Sequence, residues 1–113
     1  LIDEEAILVA DCGANLCWVY QSFFRTAQNL FTAGGNSPMG YSLPAAIGAA
    51  IEAPNRQIVC FIGDGGLLLN SQELQTLVED DIDDFIVASV GGEDREDRNH
   101  DEHLDDGERA SGC

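Results

Sequence analysis

The sequence contains no lysine, and its five arginines stand against 21 aspartates and glutamates, which gives a formal net charge of -16. Nucleic acids and anionic membrane surfaces are bound through positive charge, so this balance argues against both as partners. The sequence also lacks an uninterrupted apolar run of about 20 residues, the length that a membrane-spanning helix requires. We therefore predict a protein that binds no nucleic acid and does not enter a membrane.

The cysteines are few and do not have the spacing of a zinc knuckle or a disulfide framework. The four are Cys12, Cys17, Cys60 and Cys113. We predict buried, reduced thiols and a cytoplasmic location. No basic segment precedes an apolar one, so no signal peptide is predicted. A length of 113 residues allows one domain, and a start almost directly on a strand suggests a piece of a longer chain.

Up to about residue 78, apolar runs typical of buried strands alternate with segments of helical spacing. The predicted order is strand 6–11, helix 16–24, strand 29–33, helix 41–53, strand 57–63, helix 69–79 and strand 85–90. Asn15 and Ser42 are the candidate N-caps of the first two helices. Such alternation predicts an α/β fold, a partial doubly wound parallel sheet in three α/β/α layers. In these sheets, ligands bind beyond the carboxyl ends of the strands.

The last part of the chain, residues 91–113, has a different composition. Only Leu104, Ala110 and Cys113 are apolar there. Such a segment cannot bury enough surface to offset the entropy cost of ordering its backbone, so we predict a disordered acidic tail. His100 and His103 belong to this tail, and we expect them to be solvated because nothing would preorganise them as metal ligands.

The tetrapeptide Gly63-Asp64-Gly65-Gly66 follows a predicted strand and allows two interpretations. It could be an ordinary strand-to-helix turn, in which Asp64 caps the helix. Alternatively, the glycines could let backbone N–H groups approach a phosphate, with a divalent cation between the phosphate and Asp64. The chain lacks GxGxxG and GxxxxGK[ST], so an unrelated nucleotide-binding module is disfavoured.

A second loop, GGNSPMGYSLPAAIGAA at 34–50, favours the cofactor interpretation because it has more small residues than a connector needs. Three segments then carry a family resemblance: DCGANLCW at 11–18, GGNSPMGYSLPAAIGA at 34–49 and FIGDGGLLLNSQELQT at 61–76. Together they resemble the diphosphate-binding domain of thiamine-diphosphate-dependent enzymes. Within that family, they are most similar to acetolactate synthase large subunits and related decarboxylases. The resemblance covers about residues 6–88.

The resemblance implies thiamine diphosphate and Mg²⁺ as cofactors, and it assigns roles residue by residue. Asp64 would ligate Mg²⁺, Met39 would support the bent cofactor, and the carbonyl of Ser37 would accept a hydrogen bond from the aminopyrimidine. Asn15 and the backbone of Gly66 would contact the diphosphate. The implied cofactor-binding set is Asn15, Ser37, Met39, Gly63, Asp64, Gly65 and Gly66.

The resemblance also implies a larger enzyme than this sequence contains. It implies a 2-oxo acid substrate, a homo-oligomer, and an activating glutamate on a pyrimidine-binding domain of the same or another subunit. The family's asparagine pair that completes the metal site would fall at Val90 and Gly91, which have no side-chain oxygen. Residues 1–90 are therefore expected to be an incomplete cofactor-binding domain. Two hypotheses stay open: part of a carboligase or decarboxylase, or a non-catalytic remnant that keeps the fold.

Overall fold

A parallel four-stranded sheet forms the centre of the structure, a computed structural model that describes residues 2–89. Its strands are β1 (Ile7–Ala10), β2 (Asn29–Thr32), β3 (Ile58–Ile62) and β4 (Phe85–Ser89), in the order β2-β1-β3-β4. Val9 of β1 lies opposite Phe31 of β2 and Cys60 of β3, and Cys60 lies opposite Val87 of β4. All four predicted strands are thus present, and the α/β prediction is confirmed.

Helices pack on both faces of this sheet. They are α1 (Ala14–Ser22), α2 (Ser42–Glu52), α3 (Asp64–Leu69) and α4 (Leu74–Glu79), with a 3₁₀ turn at Ser71–Glu73 between the last two. Leu43 and Ile47 of α2 join the larger core cluster with Ile7, Val9 and Cys60. On the opposite face, the ring of Phe23, directly after α1, packs edge-on against Phe61 with centroids 6.4 Å apart. The layers are therefore α/β/α, as predicted.

The predicted N-caps are wrong for both helices. Helix α1 is capped by Gly13, whose φ of 82° suits glycine, and Asn15 lies inside the helix. The amide of Asn15 points back and donates to the Cys12 carbonyl at 2.9 Å. Helix α2 is preceded by Tyr41, and Ser42 is its first residue. In both places, contacts with preceding or distant segments outweigh the local capping preference.

The predicted helix 69–79 is also wrong in its bounds. Helical structure already begins at Asp64 and stops at Asn70, and α4 starts only at Leu74. Asn70 leaves the helical region with φ -128° and ψ 28°. Its side-chain amide donates to the carbonyl of Gly40, 30 residues away, at 2.6 Å. This tertiary bond coincides with the break between the two helices.

The predictions for the cysteines, for membrane spans and for the C-terminal tail have different outcomes. Cys12 and Cys60 carry free thiols, whereas Cys17 is disulfide-bonded, so the prediction of reduced cysteines is wrong for Cys17. Among residues 2–89, no helix is both long and apolar enough to cross a membrane. The predicted disorder of 91–113 concerns residues outside the described part of the chain.

The burial pattern predicts that replacing one leucine by alanine destabilises the protein strongly, whereas replacing another has almost no effect. Leu43 is fully buried in α2, whereas Leu68 of α3 is 76% exposed. We expect Leu43→Ala to lower the free energy of unfolding by about 2–5 kcal/mol, through lost burial and the cavity left behind. Leu68→Ala is the matched control and should change it by less than about 0.5 kcal/mol. Urea unfolding followed by circular dichroism measures both, and equal losses would contradict this core.

Cys60 makes stability depend on pH in the alkaline range. Burial, and to a lesser degree the charge of Asp11, raise the pKa of its thiol from 9.0 to about 11, although a hydrogen bond to Ser42 acts in the other direction. The folded state therefore retains the proton more tightly than the unfolded state. This contribution to stability is complete below pH 9 and is lost as the pH rises through 11.

We expect the free energy of unfolding to fall between pH 9 and 11, by at most about 2–3 kcal/mol from this thiol. In Cys60→Ala the fall over the same interval should be smaller, because only the other titrating groups remain. Urea titrations of both proteins at pH 8, 9, 10 and 11 make the comparison. Parallel curves for the two proteins would show that the thiol contributes nothing.

Candidate functional site

The site lies at the carboxyl edge of the sheet, where two neighbouring strands send the chain in opposite directions. Strand β1 leads through α1 to β2 on one side, and β3 leads through α3 and α4 to β4 on the other. Such a switch point opens a crevice between the two loops, and ligands of open α/β sheets bind there. The loops face each other closely, since a Cβ on Gly63 would lie 3.4 Å from the amide nitrogen of Asn15.

A buried carboxylate ties a third loop to this edge. Asp11, the residue after β1, is 2% exposed. Its two oxygens accept hydrogen bonds from the backbone N–H groups of Gly40 at 2.9 Å and Ser42 at 3.1 Å. Charge-assisted bonds of this kind are about twice as strong as neutral ones. The glycine-rich loop before α2 is thereby held against the end of β1.

Close packing explains why glycines occupy these loops. A Cβ on Gly40 would lie 2.6 Å from the side-chain nitrogen of Asn70, and Gly40 has a φ of 83°. A Cβ on Gly66 would collide with the carboxylate of Asp11. A Cβ on Gly65 would lie 2.9 Å from the terminal methyl of Met39. Three loops therefore meet with no room for a side chain at Gly40 or Gly66, whereas one at Gly65 would displace the end of Met39.

The structure brings several residues of the predicted set together. Met39 lies over Gly65, and Asn15 lies beside Gly63. Asp64 is exposed at the start of α3, and its Oδ1 accepts the N–H of Gly65 at 2.8 Å. All of these residues lie at the carboxyl edge of the sheet.

Ser37 has an unusual backbone and belongs to the same loop as Met39. Its φ of 44° lies in the left-handed region, which is uncommon for a residue other than glycine. Residues before proline normally take an extended conformation with negative φ, so Ser37, which precedes Pro38, is doubly atypical. Strain of this type is frequent at ligand sites, where the surrounding contacts sustain it. Within residues 2–89, Ser37 makes no hydrogen bond.

Two residues of the site were missed by sequence reasoning, Asp11 and Asn70. Asp11 had a detectable signal, since an acid directly after an apolar strand falls at the carboxyl edge of a parallel sheet. Asn70 had no such signal, because its partner, the Gly40 carbonyl, is 30 residues away. Sequence reasoning placed Asn70 near the start of a helix, where a polar residue needs no tertiary explanation.

The residues present are compatible with a diphosphate and a bridging cation. Oδ1 of Asn15 is buried and has no hydrogen-bond partner among the described residues, so it needs a donor such as a metal-bound water. Among residues 2–89, no three His, Cys, Asp or Glu side chains are grouped to hold a metal alone. Magnesium commonly takes one or two protein carboxylates and completes its shell with phosphate and water oxygens. Asp64 offers an exposed carboxylate beside the glycines.

A parallel sheet with a crevice at its switch point defines the class of open α/β ligand-binding domains. Residues 11–90 match the family model of the thiamine pyrophosphate enzyme C-terminal TPP binding domain. The chain therefore belongs to this family, as its three motifs indicated. The family's cofactors are thiamine diphosphate and, as is usual for it, Mg²⁺.

Acetolactate synthases are among the relatives of this chain. It is 40% identical over 87 residues to the acetolactate synthase isozyme 1 large subunit of Escherichia coli. This alignment covers 76% of the present chain and 16% of that protein. The large subunit of Lactococcus lactis is 43% identical over 74 residues, which are 65% of this chain and 13% of that protein. The chloroplastic acetolactate synthase 2 of Brassica napus is 38% identical over 78 residues, covering 68% and 12%. The chain thus spans less than a fifth of the length of these relatives.

Two glycines with different surroundings provide a test of the site's packing. We expect Gly66→Ala to lower the free energy of unfolding by about 1–3 kcal/mol, because the new methyl meets Asp11, Gly40 and Ile62. Gly48 lies within α2 with nothing near its added Cβ. Gly48→Ala should therefore raise stability by about 0.5–1 kcal/mol. Urea unfolding compares the two variants, and a neutral Gly66→Ala would contradict the close approach of Asp11.

Proposed function

We propose that residues 1–90 are the Mg²⁺ and thiamine diphosphate site of an acetolactate-synthase-like enzyme that acts on 2-oxo acids by carboligation or decarboxylation. The observation that carries this proposal is the contact of Met39 with Gly65, which joins the two glycine-rich loops of the family at one crevice. Family membership and the acetolactate synthase relatives support the same assignment.

Each loop would hold a different part of the cofactor. Asp64 would ligate Mg²⁺, and the backbone from Gly63 to Gly66 would face the diphosphate. Asn15 would accept a hydrogen bond at its unpartnered oxygen, from a metal-bound water. Met39, 57% exposed and lying over Gly65, offers an apolar support for the bent cofactor, and the Ser37 carbonyl would orient its aminopyrimidine. When bound, thiamine diphosphate supplies the carbanion chemistry itself, so these residues bind and orient it.

Catalysis would require groups beyond those described. The resemblance places the activating glutamate on a pyrimidine-binding domain of the same or another subunit, in a homo-oligomer. Glu4 and Glu5 do not replace it, because they precede β1 and therefore lie at the amino edge, opposite Asp64. A cytoplasmic location remains part of the proposal; the free thiols of Cys12 and Cys60 support it, whereas the disulfide-bonded Cys17 argues against it.

A specific sequence feature favours the alternative, a non-catalytic chain that keeps the fold. Strand β4 ends at Ser89, which lies opposite Ile62, one residue before Gly63. The residues that follow in sequence, Val90 and Gly91, have no side-chain oxygen where the family's asparagine pair would complete the metal site. A half-built metal site would bind the cofactor weakly or not at all.

Calorimetric titration with thiamine diphosphate, with and without Mg²⁺, tests the proposal. We expect Mg²⁺-dependent binding by the full chain, and a loss of roughly 100-fold in affinity for Asp64→Ala, because the cation loses its protein carboxylate. Asp83→Ala is the matched control, since Asp83 is also exposed but precedes β4 at the opposite edge. Its affinity should equal that of the unaltered chain.

Two results would count against the proposal. Binding that is independent of Mg²⁺ would remove the assigned role of Asp64. Absence of heat in every titration, from a chain that still unfolds cooperatively, would favour the non-catalytic remnant.

A further inference from the structure

We infer that Asn70 is a positioning residue, which holds Met39 over Gly65 through its hydrogen bond to the carbonyl of Gly40. The geometric part of this inference stands on the described contacts alone. Its consequence for thiamine diphosphate affinity rests on the proposed function.

The bond from Asn70 is short and links distant parts of the chain. Its amide nitrogen lies 2.6 Å from the Gly40 carbonyl, across 30 residues, in a partly buried place. Asn70 also stands at the break that follows α3, so its backbone is not committed to a helix. An asparagine there donates a hydrogen bond to the carbonyl of Gly40, in the loop that passes over the end of α3.

Gly40 is held from both sides. Its N–H donates to the buried carboxylate of Asp11 at 2.9 Å, while its carbonyl accepts from Asn70. No side chain fits at this position, because a Cβ would approach Asn70, the Gly66 carbonyl and Leu69 within 3.4 Å. The peptide groups on both sides of Gly40 therefore have little freedom to rotate or shift.

Met39 depends on this neighbour for its placement. Its side chain is 57% exposed, so packing holds it only in part. An unbranched methionine has three rotatable bonds and adapts readily to its surroundings. Its methyl nevertheless lies against Gly65, 2.9 Å from where a Cβ on that residue would stand. With Gly40 fixed, the backbone directs the methionine toward Gly65 before any ligand arrives.

Loss of the Asn70 hydrogen bond should free Gly40 at its carbonyl but not at its N–H. Asp11 would still hold the N–H of Gly40, so the loop would stay attached to β1. The carbonyl of Gly40 would turn toward water, and Met39 would move away from Gly65. The expected effect is a displaced methionine in a folded protein.

Methyl NMR on the full 113-residue chain tests the geometry directly, because Met39 is its single methionine. With ¹³C-methyl methionine, Met39→Leu identifies the signal and separates it from any initiator methionine. We expect a nuclear Overhauser contact between the Met39 methyl and the α-protons of Gly65 without cofactor. Asn70→Ala should abolish this contact, and Asn55→Ala, an exposed position before β3 at the opposite edge, should preserve it.

A second variant separates the loss of the hydrogen bond from a general loss of the fold. Asn70→Asp keeps the shape of the side chain but replaces the donor by an acceptor, so it should also abolish the contact. Cooperative urea unfolding of both variants verifies that they fold. Persistence of the methyl contact in a folded Asn70 variant would overturn the inference, whatever the cofactor titrations show.

Cofactor titration of the uncharged variant tests the functional consequence. In Asn70→Ala, we expect the affinity for thiamine diphosphate with Mg²⁺ to fall about 10-fold, the upper range of one net hydrogen bond. Unchanged affinity together with a lost methyl contact would overturn Asn70 as a positioning residue for the cofactor. If the unaltered chain binds no cofactor, the proposed function fails, and the methyl contact alone decides whether Asn70 positions Met39.

Discussion

The buried carboxylate of Asp11 is the constraint on which the rest of the site depends. A charge that is 2% exposed would be costly unless it were fully paired, and here the partners are the N–H groups of Gly40 and Ser42. The chain must therefore bring the start of α2 back to the end of β1. This return carries the whole loop 34–41 across the carboxyl edge, and with it Met39. A single charge-pairing requirement thus fixes where the crevice forms.

The position of Asp11 changes what the glycine motif means. Gly66 is required by packing against this carboxylate, and a Cβ on Gly65 would displace the methyl of Met39. Both contacts exist without any ligand, so the glycines alone do not indicate a phosphate site. The carboxylate of Asp64 and the side-chain oxygen of Asn15 do point to a ligand, because the first is exposed and the second, though buried, has no hydrogen-bond partner within residues 2–89. These two polar groups are therefore the features that indicate a ligand.

The strands and α2 could be predicted from the sequence, because buried parallel strands are short apolar runs and α2 has a strong apolar pattern. The sequence was insufficient from Asp64 to Glu79, where one helix was expected and two occur. That break coincides with the bond from Asn70 to a distant carbonyl, which no local pattern records. The same holds for Asn15, whose amide turned to Cys12 instead of capping a helix. Predictable features were local, and the missed ones were tertiary.

The uneven placement of charge reconciles an acidic chain with an anionic cofactor. Within residues 2–89, the clusters Asp3–Glu5 and Asp80–Asp84 precede β1 and β4, so they lie at the amino edge of the sheet. Strands of four or five residues separate the two edges by roughly 13–16 Å. The screening length in physiological salt is only about 8 Å, so these carboxylates repel a diphosphate weakly across that distance. At the carboxyl edge, the charge of Asp11 is buried and stabilised by two N–H groups, and a cation would offset Asp64. Net charge therefore argues against extended polyanions, which would span both edges, but not against a small diphosphate held at one edge.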